Sequence, residues 1–157
     1  MSGTATGHAI YSDGAARGNP GPAGAGGIII NNVGEIISEV SEYLGEQTNN
    51  AAEYLALILT LERACELGFD QIRIFADSEL LVKQLRGEYR VKNAGLIPLH
   101  RRARELINAL SVTSMEHIPR EQNSAADCLA NDAIDGYQSG DKEVISIDGT
   151  KGQTSLF

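Results

Sequence analysis

The sequence predicts a single α/β domain: a five-stranded mixed sheet, with three antiparallel N-terminal strands and further parallel strands, flanked by helices. Three observations carry this. The first third holds three β-like runs separated by turn formers. The rest alternates helix and strand patterns, an arrangement that makes parallel strands through crossovers. The length of 157 residues, 42% hydrophobic and 22% charged, suits one domain with its own core.

Taken in order, His8 to Ser12 alternates and ends at Asp13-Gly14, a short strand, followed by the turn-rich Arg17 to Pro22. Ala25 to Asn31 and Glu35 to Leu44 are β-like and are joined by Asn32-Val33-Gly34, a hairpin signal. Thr48-Asn49 offers an N-cap for a long helix from about Asn50 to Leu67, closed by Gly68. Gln71 to Ala76 reads as a buried strand, and Ser78 opens a helix to about Leu85. Leu99, Ala103, Leu106 and Leu110 are spaced as one face of a helix that starts near Leu96. Val112 to Ile118 is a last strand, and Ser124 to about Ile134 a last helix. The domain is expected over residues 8–138, with a flexible lead over 1–7 and a flexible or loosely docked tail over 139–157.

No apolar run approaches the ~20 residues of a membrane helix, and Met1 to His8 lacks the basic start and apolar stretch of a secretion signal. A cytoplasmic protein without a membrane partner is expected, as a monomer by default. Cys65 and Cys128 are too few and too far apart for a metal knuckle; two partly buried free thiols are expected, with a single bridge left open. Glycine-rich GNPGPAGAGG lacks the Gly-Lys-Ser/Thr of a nucleotide-binding loop.

The net charge of −8 is unevenly spread. Met1 to Asp77 holds ten acidic and three basic residues, whereas Lys83 to Arg104 holds seven basic residues against Glu88 alone. Such a patch can contact phosphates despite the global sum, because screening limits distant charge to roughly 8 Å. An ordinary solvated helix face would look similar.

Four carboxylates stand out. Glu53 lies near the start of a helix that is apolar on nearly every side, where an unpaired charge is costly. Helix-dipole stabilisation is the plainer explanation. Asp77 closes an apolar strand just ahead of a helix, a common ligand position in α/β sheets. It would also serve as an N-cap, unless Ser78 caps instead. Asp13 lies at or near a strand end before Gly14, and Asp127 in the first turns of the last helix. Oxygen-only ligands suit Mg²⁺ or Mn²⁺ and not Zn²⁺. If the four converge, two such ions would suit displacement at phosphorus.

These residues fall in four ordered blocks: Tyr11-Ser-Asp13-Gly14 with Gly18-Asn19-Pro20-Gly21-Pro22; Gln47-Thr48-Asn49-Asn50-Ala-Ala-Glu53; Ala76-Asp77-Ser78; and Pro119-Arg120-Glu121-Gln122-Asn123 with Ala126-Asp127-Cys-Leu-Ala130. Across about Ala9 to Asp135 the chain resembles the type 1 ribonucleases H. The resemblance implies a ribonuclease H-like fold. It also implies that Asp13, Glu53, Asp77 and Asp127 hold two Mg²⁺ ions, with Mn²⁺ as a substitute, and cut the RNA strand of RNA–DNA hybrids. Asn19, Asn49 and Asn50 would then lie along the minor groove, where amides can bond 2′-hydroxyls. Turn and cap chemistry is their plainer role. Gly14, Ser78, Lys83 and Arg86 would complete the substrate contacts.

The chain departs from the family pattern in three ways. Glu79 stands where many members carry Gln. The short connection from Gly87 to Gly95 leaves no room for the extra helix and basic protrusion of some bacterial forms, so Lys83, Arg86, Arg90 and Lys92 would carry phosphate binding. The family's mobile histidine has no clear counterpart. His117 falls in a strand, and Arg120, in the next loop, is better placed to assist product release electrostatically. A non-catalytic binding module and a broader nuclease that also cuts double-stranded RNA remain open.

Overall fold

The computed structural model describes residues 7–69 and 71–140. The expected flexible lead, through residue 6, and the tail beyond residue 140 lie outside the described residues. The strands are β1 (His8–Ala16), β2 (Gly21–Ile30), β3 (Ile36–Gln47), β4 (Gln71–Ala76) and β5 (Ser111–His117). The helices are α1 (Asn49–Leu67), α2 (Glu79–Leu85), α3 (Ile97–Ala109) and α4 (Ser124–Ser139), with a 3-10 turn at Arg120–Gln122 before α4. The sheet order is β3-β2-β1-β4-β5. β1, β2 and β3 pair antiparallel, whereas β4 pairs parallel with both β1 and β5. The element order and the mixed sheet agree with the sequence expectation.

The core forms where α1 lies across the sheet. Ile10, Ile29, Ile72 and Ile74 meet Tyr54, Leu57, Ile58 and Leu61 of α1, and Leu81, Leu85, Ala103 and Leu106 of α2 and α3 extend the same cluster. Helix α4 packs against β1, β2 and β3. It can do so closely because β2 carries glycine: a Cβ at Gly26 would overlap the carbonyl of Ala126 and crowd the Ala130 amide. No helix among the described residues is long and apolar enough to cross a membrane.

Four local expectations change. β1 does not stop near Asp13 but continues to Ala16, because pairing with β2 holds Gly14, Ala15 and Ala16 in line although their strand propensity is low. β4 is buried on one face only; on the other, Phe75 stacks on Tyr11 and Arg73 sits over the Phe75 ring. α4 runs past Ile134 to Ser139, held by stacking of Tyr137 on Tyr43 and by Arg17 bonds to Asp135 and Gln138. Cys65 and Cys128 are free and exposed rather than partly buried, since each projects from the outer side of its helix.

Gly26→Ala should therefore force α4 away from the sheet and destabilise the domain by about 1–3 kcal/mol, as overpacked cores do. Urea unfolding checks this; an unchanged midpoint would mean that α4 is not seated as described.

Candidate active site

Strand register builds the centre of the site. Parallel pairing of β1 with β4 ends at Ser12 opposite Ala76. The next residue on each strand is an acid, so Asp13 and Asp77 come side by side. Glu53 arrives from α1, one turn after the Thr48 cap that accepts from the Ala51 N–H at 3.1 Å. α1 approaches β1 this closely only because position 14 is glycine: a Cβ there would collide with the backbone of Ala52 and Glu53. The Gly14 N–H donates to Glu53 Oε1 at 3.3 Å. Ligand oxygens of Asp13, Glu53 and Asp77 all lie within 4.8 Å of one another.

Asp13 is 2% exposed. Burial, and then the charges of Glu53 and Asp77, push its carboxyl up to about 10. Burial followed by the Asp77 charge raises Glu53 to about 8, against the opposing pull of the Gly14 N–H. Burial and neighbouring acids thus leave protons on two carboxyls near neutrality. All donors are hard carboxylate oxygens, the set a divalent cation of the Mg²⁺ or Ca²⁺ kind takes and Zn²⁺ does not favour. The residues fit such an ion.

Asp127 stands outside the triad. It shares a side-chain hydrogen bond with Asp13, while Asn131 Nδ2 donates to Asp127 Oδ1 at 3.2 Å and to its carbonyl at 3.0 Å. Arg17 Nη2 in turn donates to Asn131 Oδ1 at 3.0 Å. The fourth carboxylate is thus near the site but oriented by its own helix. Ser78 caps α2, accepting from the Leu81 N–H at 3.2 Å, which frees Asp77 from capping.

The polar residues expected to meet substrate fall on one side. Asn19 Oδ1 accepts from the Asn49 N–H at 3.0 Å, joining the β1–β2 turn to the start of α1, with Asn50 exposed beside them. Lys83 and Arg86 are less free than their charge implied: Lys83 pairs with Glu79 at 2.9 Å and Arg86 with Glu88 at 3.6 Å. Arg102 bridges Glu62 and Glu105. Arg90, Lys92 and Arg101 have no ion pair among the described residues. Arg90 and Lys92 join Asn50 and Tyr89 in lining a groove of about 500 Å³ between α1, α2 and the following loop. No helix interrupts residues 86–96, in line with the short form. Arg120 is exposed in the 3-10 turn, near enough for its charge to favour ionised Glu53. His117 ends β5, near Glu79.

Sequence reasoning gave no role to three residues: Tyr89, in a loop without pattern; Asn131, whose signal was its place one helical turn after Asp127; and Asn123, named only as part of the fourth block. The last looks like a routine helix cap, but its Nδ2 donates to Asp77 Oδ2 at 3.0 Å.

A family model described as reverse transcriptase-like matches residues 11–133. The chain is 46% identical to ribonuclease HI of Halobacterium salinarum over 125 residues, 80% of this chain. The crystal structure of RNase H1 from that archaeon superposes with a TM-score of 0.79 at 44% identity, covering 82% of this chain and 97% of that one. This chain belongs to the type 1 ribonuclease H family. A further ribonuclease H structure, LC11-RNase H1 in complex with RNA/DNA hybrid, matches with a TM-score of 0.79 at 41% identity, covering 83% of this chain and 99% of that one. The chain spans 63% of the length of the Halobacterium relative and 41% of three mycobacterial relatives.

The raised carboxyls give the stability of the domain a definite pH dependence. Asp13 and Glu53 hold protons in the folded state that the unfolded chain releases near pH ~4. Their contribution is therefore fully present below about pH 4 and is lost as pH rises through the folded values of about 8 and about 10. In chelator, the melting temperature should be higher near pH ~5.5 than near pH ~8.5. Added Mg²⁺ or Mn²⁺ should raise it more at the higher pH, where protons no longer compete. A melting temperature independent of pH and metal would contradict the placement of these carboxyls.

Proposed function

We propose that the chain is an endonuclease that hydrolyses the RNA strand of RNA–DNA hybrids. Asp13, Glu53 and Asp77, with Asp127 at the margin, would hold two Mg²⁺ ions, and Mn²⁺ would substitute. The observation that carries the proposal is the convergence of three buried or half-buried carboxylates without a counter-charge among them. Family membership and the hybrid bound by LC11-RNase H1 favour the same substrate class.

The chemistry such ions supply when bound is activation of water and stabilisation of the departing 3′-oxygen, leaving 5′-phosphate and 3′-hydroxyl ends. The protein's own part is placement. β1 and β4 fix Asp13 and Asp77 on a rigid sheet, and the Gly14 N–H orients Glu53. Asn49 and Asn50 at the exposed start of α1, with the Asn19 amide Nδ2 unbonded among the described residues while its oxygen serves Asn49, would face 2′-hydroxyls along the minor groove. Arg90 and Lys92 would meet phosphates first, since Lys83 and Arg86 must release Glu79 and Glu88 before doing so. Gly14 and Ser78 act at the site through backbone approach and the α2 cap. Arg120 offers positive charge beside Glu53 and would help the product phosphate leave, a part for which the strand-end His117 is less suited. All these residues come from one chain, so the proposed working unit is a monomer.

The test is cleavage of matched RNA–DNA hybrid, double-stranded RNA, single-stranded RNA and double-stranded DNA, each with Mg²⁺, Mn²⁺ or chelator. Metal-dependent cutting confined to the RNA of the hybrid is expected. Asp13→Asn and Asp77→Asn should each lose on the order of a hundredfold or more in rate. Asp127→Asn, outside the triad, should lose less. Cutting of double-stranded RNA would widen the substrate class, and hybrid binding without cleavage in either metal would overturn the enzymatic proposal.

A further inference from the structure

Asn123 occupies the N-cap position of α4, yet its side chain makes no bond to the helix. An asparagine there normally accepts from an N–H of the first turn, so the helix forgoes a stabilising cap. The side chain turns inward instead and is 1% exposed. Its Nδ2 donates to the Ser12 carbonyl at 2.9 Å and to Asp77 Oδ2 at 3.0 Å. A carbonyl and an ionised carboxylate only accept, so the orientation of the amide is dictated: the flipped form would set Oδ1 against two oxygens. Asn123 Oδ1 is left buried without a hydrogen-bond partner among the described residues. A side chain that abandons its cap and leaves its own oxygen unpaired is held there by what its nitrogen does.

That nitrogen joins the elements that carry the acids. Ser12 precedes Asp13 on β1, Asp77 follows the last residue of β4, and the Asn123 carbonyl accepts from the Asp127 N–H at 3.1 Å. We propose that Asn123 is the positioning residue of the acidic site. By engaging one oxygen of Asp77 it fixes the carboxylate and leaves the other oxygen for a divalent cation, and it seats the start of α4, which carries Asp127. This rests on the proposal that Asp13, Glu53 and Asp77 hold such a cation. A neutral donor is the chemistry the position requires. A lysine or arginine would neutralise Asp77 and compete with the ion, an aspartate would face two acceptors with a third, and an aliphatic side chain would leave both oxygens unpaired.

The test uses the full chain without nucleic acid. Mn²⁺ binding is measured by titration calorimetry and folding by thermal melting in chelator, for wild type and Asn123→Ala. The variant should still melt cooperatively while binding Mn²⁺ about 10- to 100-fold more weakly, the usual cost of removing a partner that orients a ligand. A folded variant that binds as tightly as wild type would overturn the role of Asn123 alone. Absence of Mn²⁺ binding by wild type would instead overturn the cation site itself. Should Asn123→Ala not fold, wild type supplies the second measurement: the side-chain amide signals of Asn123 should shift in ¹H–¹⁵N spectra as Mg²⁺ is added. Signals that stay fixed while the backbone amides of Asp13 and Gly14 move would also overturn the proposal.

Discussion

Parallel pairing of β1 with β4 sets Asp13 beside Asp77, and every other feature of the site answers to that juxtaposition. Two ionised carboxylates within 4.8 Å of each other would repel by about 3 kcal/mol or more even at the effective dielectric suited to protein sites. Glu53 adds a third charge. The fold accommodates the three by keeping protons on Asp13 and Glu53, which leaves a store of electrostatic free energy that a divalent cation can release. The site is therefore uncomfortable without metal, and that discomfort is a source of affinity.

The supports around the cluster are neutral or are kept at one remove. The Gly14 N–H and the Asn123 amide touch Glu53 and Asp77, and Asn131 holds Asp127. Arg17 acts on Asp127 only through Asn131. Arg120 influences Glu53 from the surface. Donors of this kind orient carboxylates without cancelling the charge that would draw in a cation. Positive charge instead gathers on the loop after α2, beside the groove that Asn50 shares with Arg90 and Lys92. The cation site and the proposed phosphate-binding side are thus kept apart, which reconciles a net charge of −8 with the proposed nucleic-acid partner.

Much of this was legible in the sequence because it left local conflicts there. An acid in an apolar helix and an acid closing an apolar strand violate binary patterning, and Ser78 was available to cap α2 in place of Asp77. The turn at Gly34 and the cap at Thr48 follow from residue chemistry alone. What escaped was decided by partners distant in sequence. Gly14-Ala15-Ala16 is strand only because β2 lies alongside. The last turn of α4 depends on Tyr43 and Arg17, more than ninety positions away. Asn123 is indistinguishable from a helix cap until its bond to Asp77, 46 residues earlier, is known. The pairing of Lys83 with Glu79 was readable from their i,i+4 spacing, yet the count of basic residues concealed it.

The central claim is that protons now occupy a place made for a divalent cation. Its most direct measurement is the number of protons released per Mg²⁺ bound near pH ~7, from titration calorimetry in buffers of differing ionisation enthalpy. Release of about one proton or more, falling away in Asp13→Asn, is the predicted result. Saturable Mg²⁺ binding with no proton release, unchanged in that variant, would place the cation elsewhere and contradict the account.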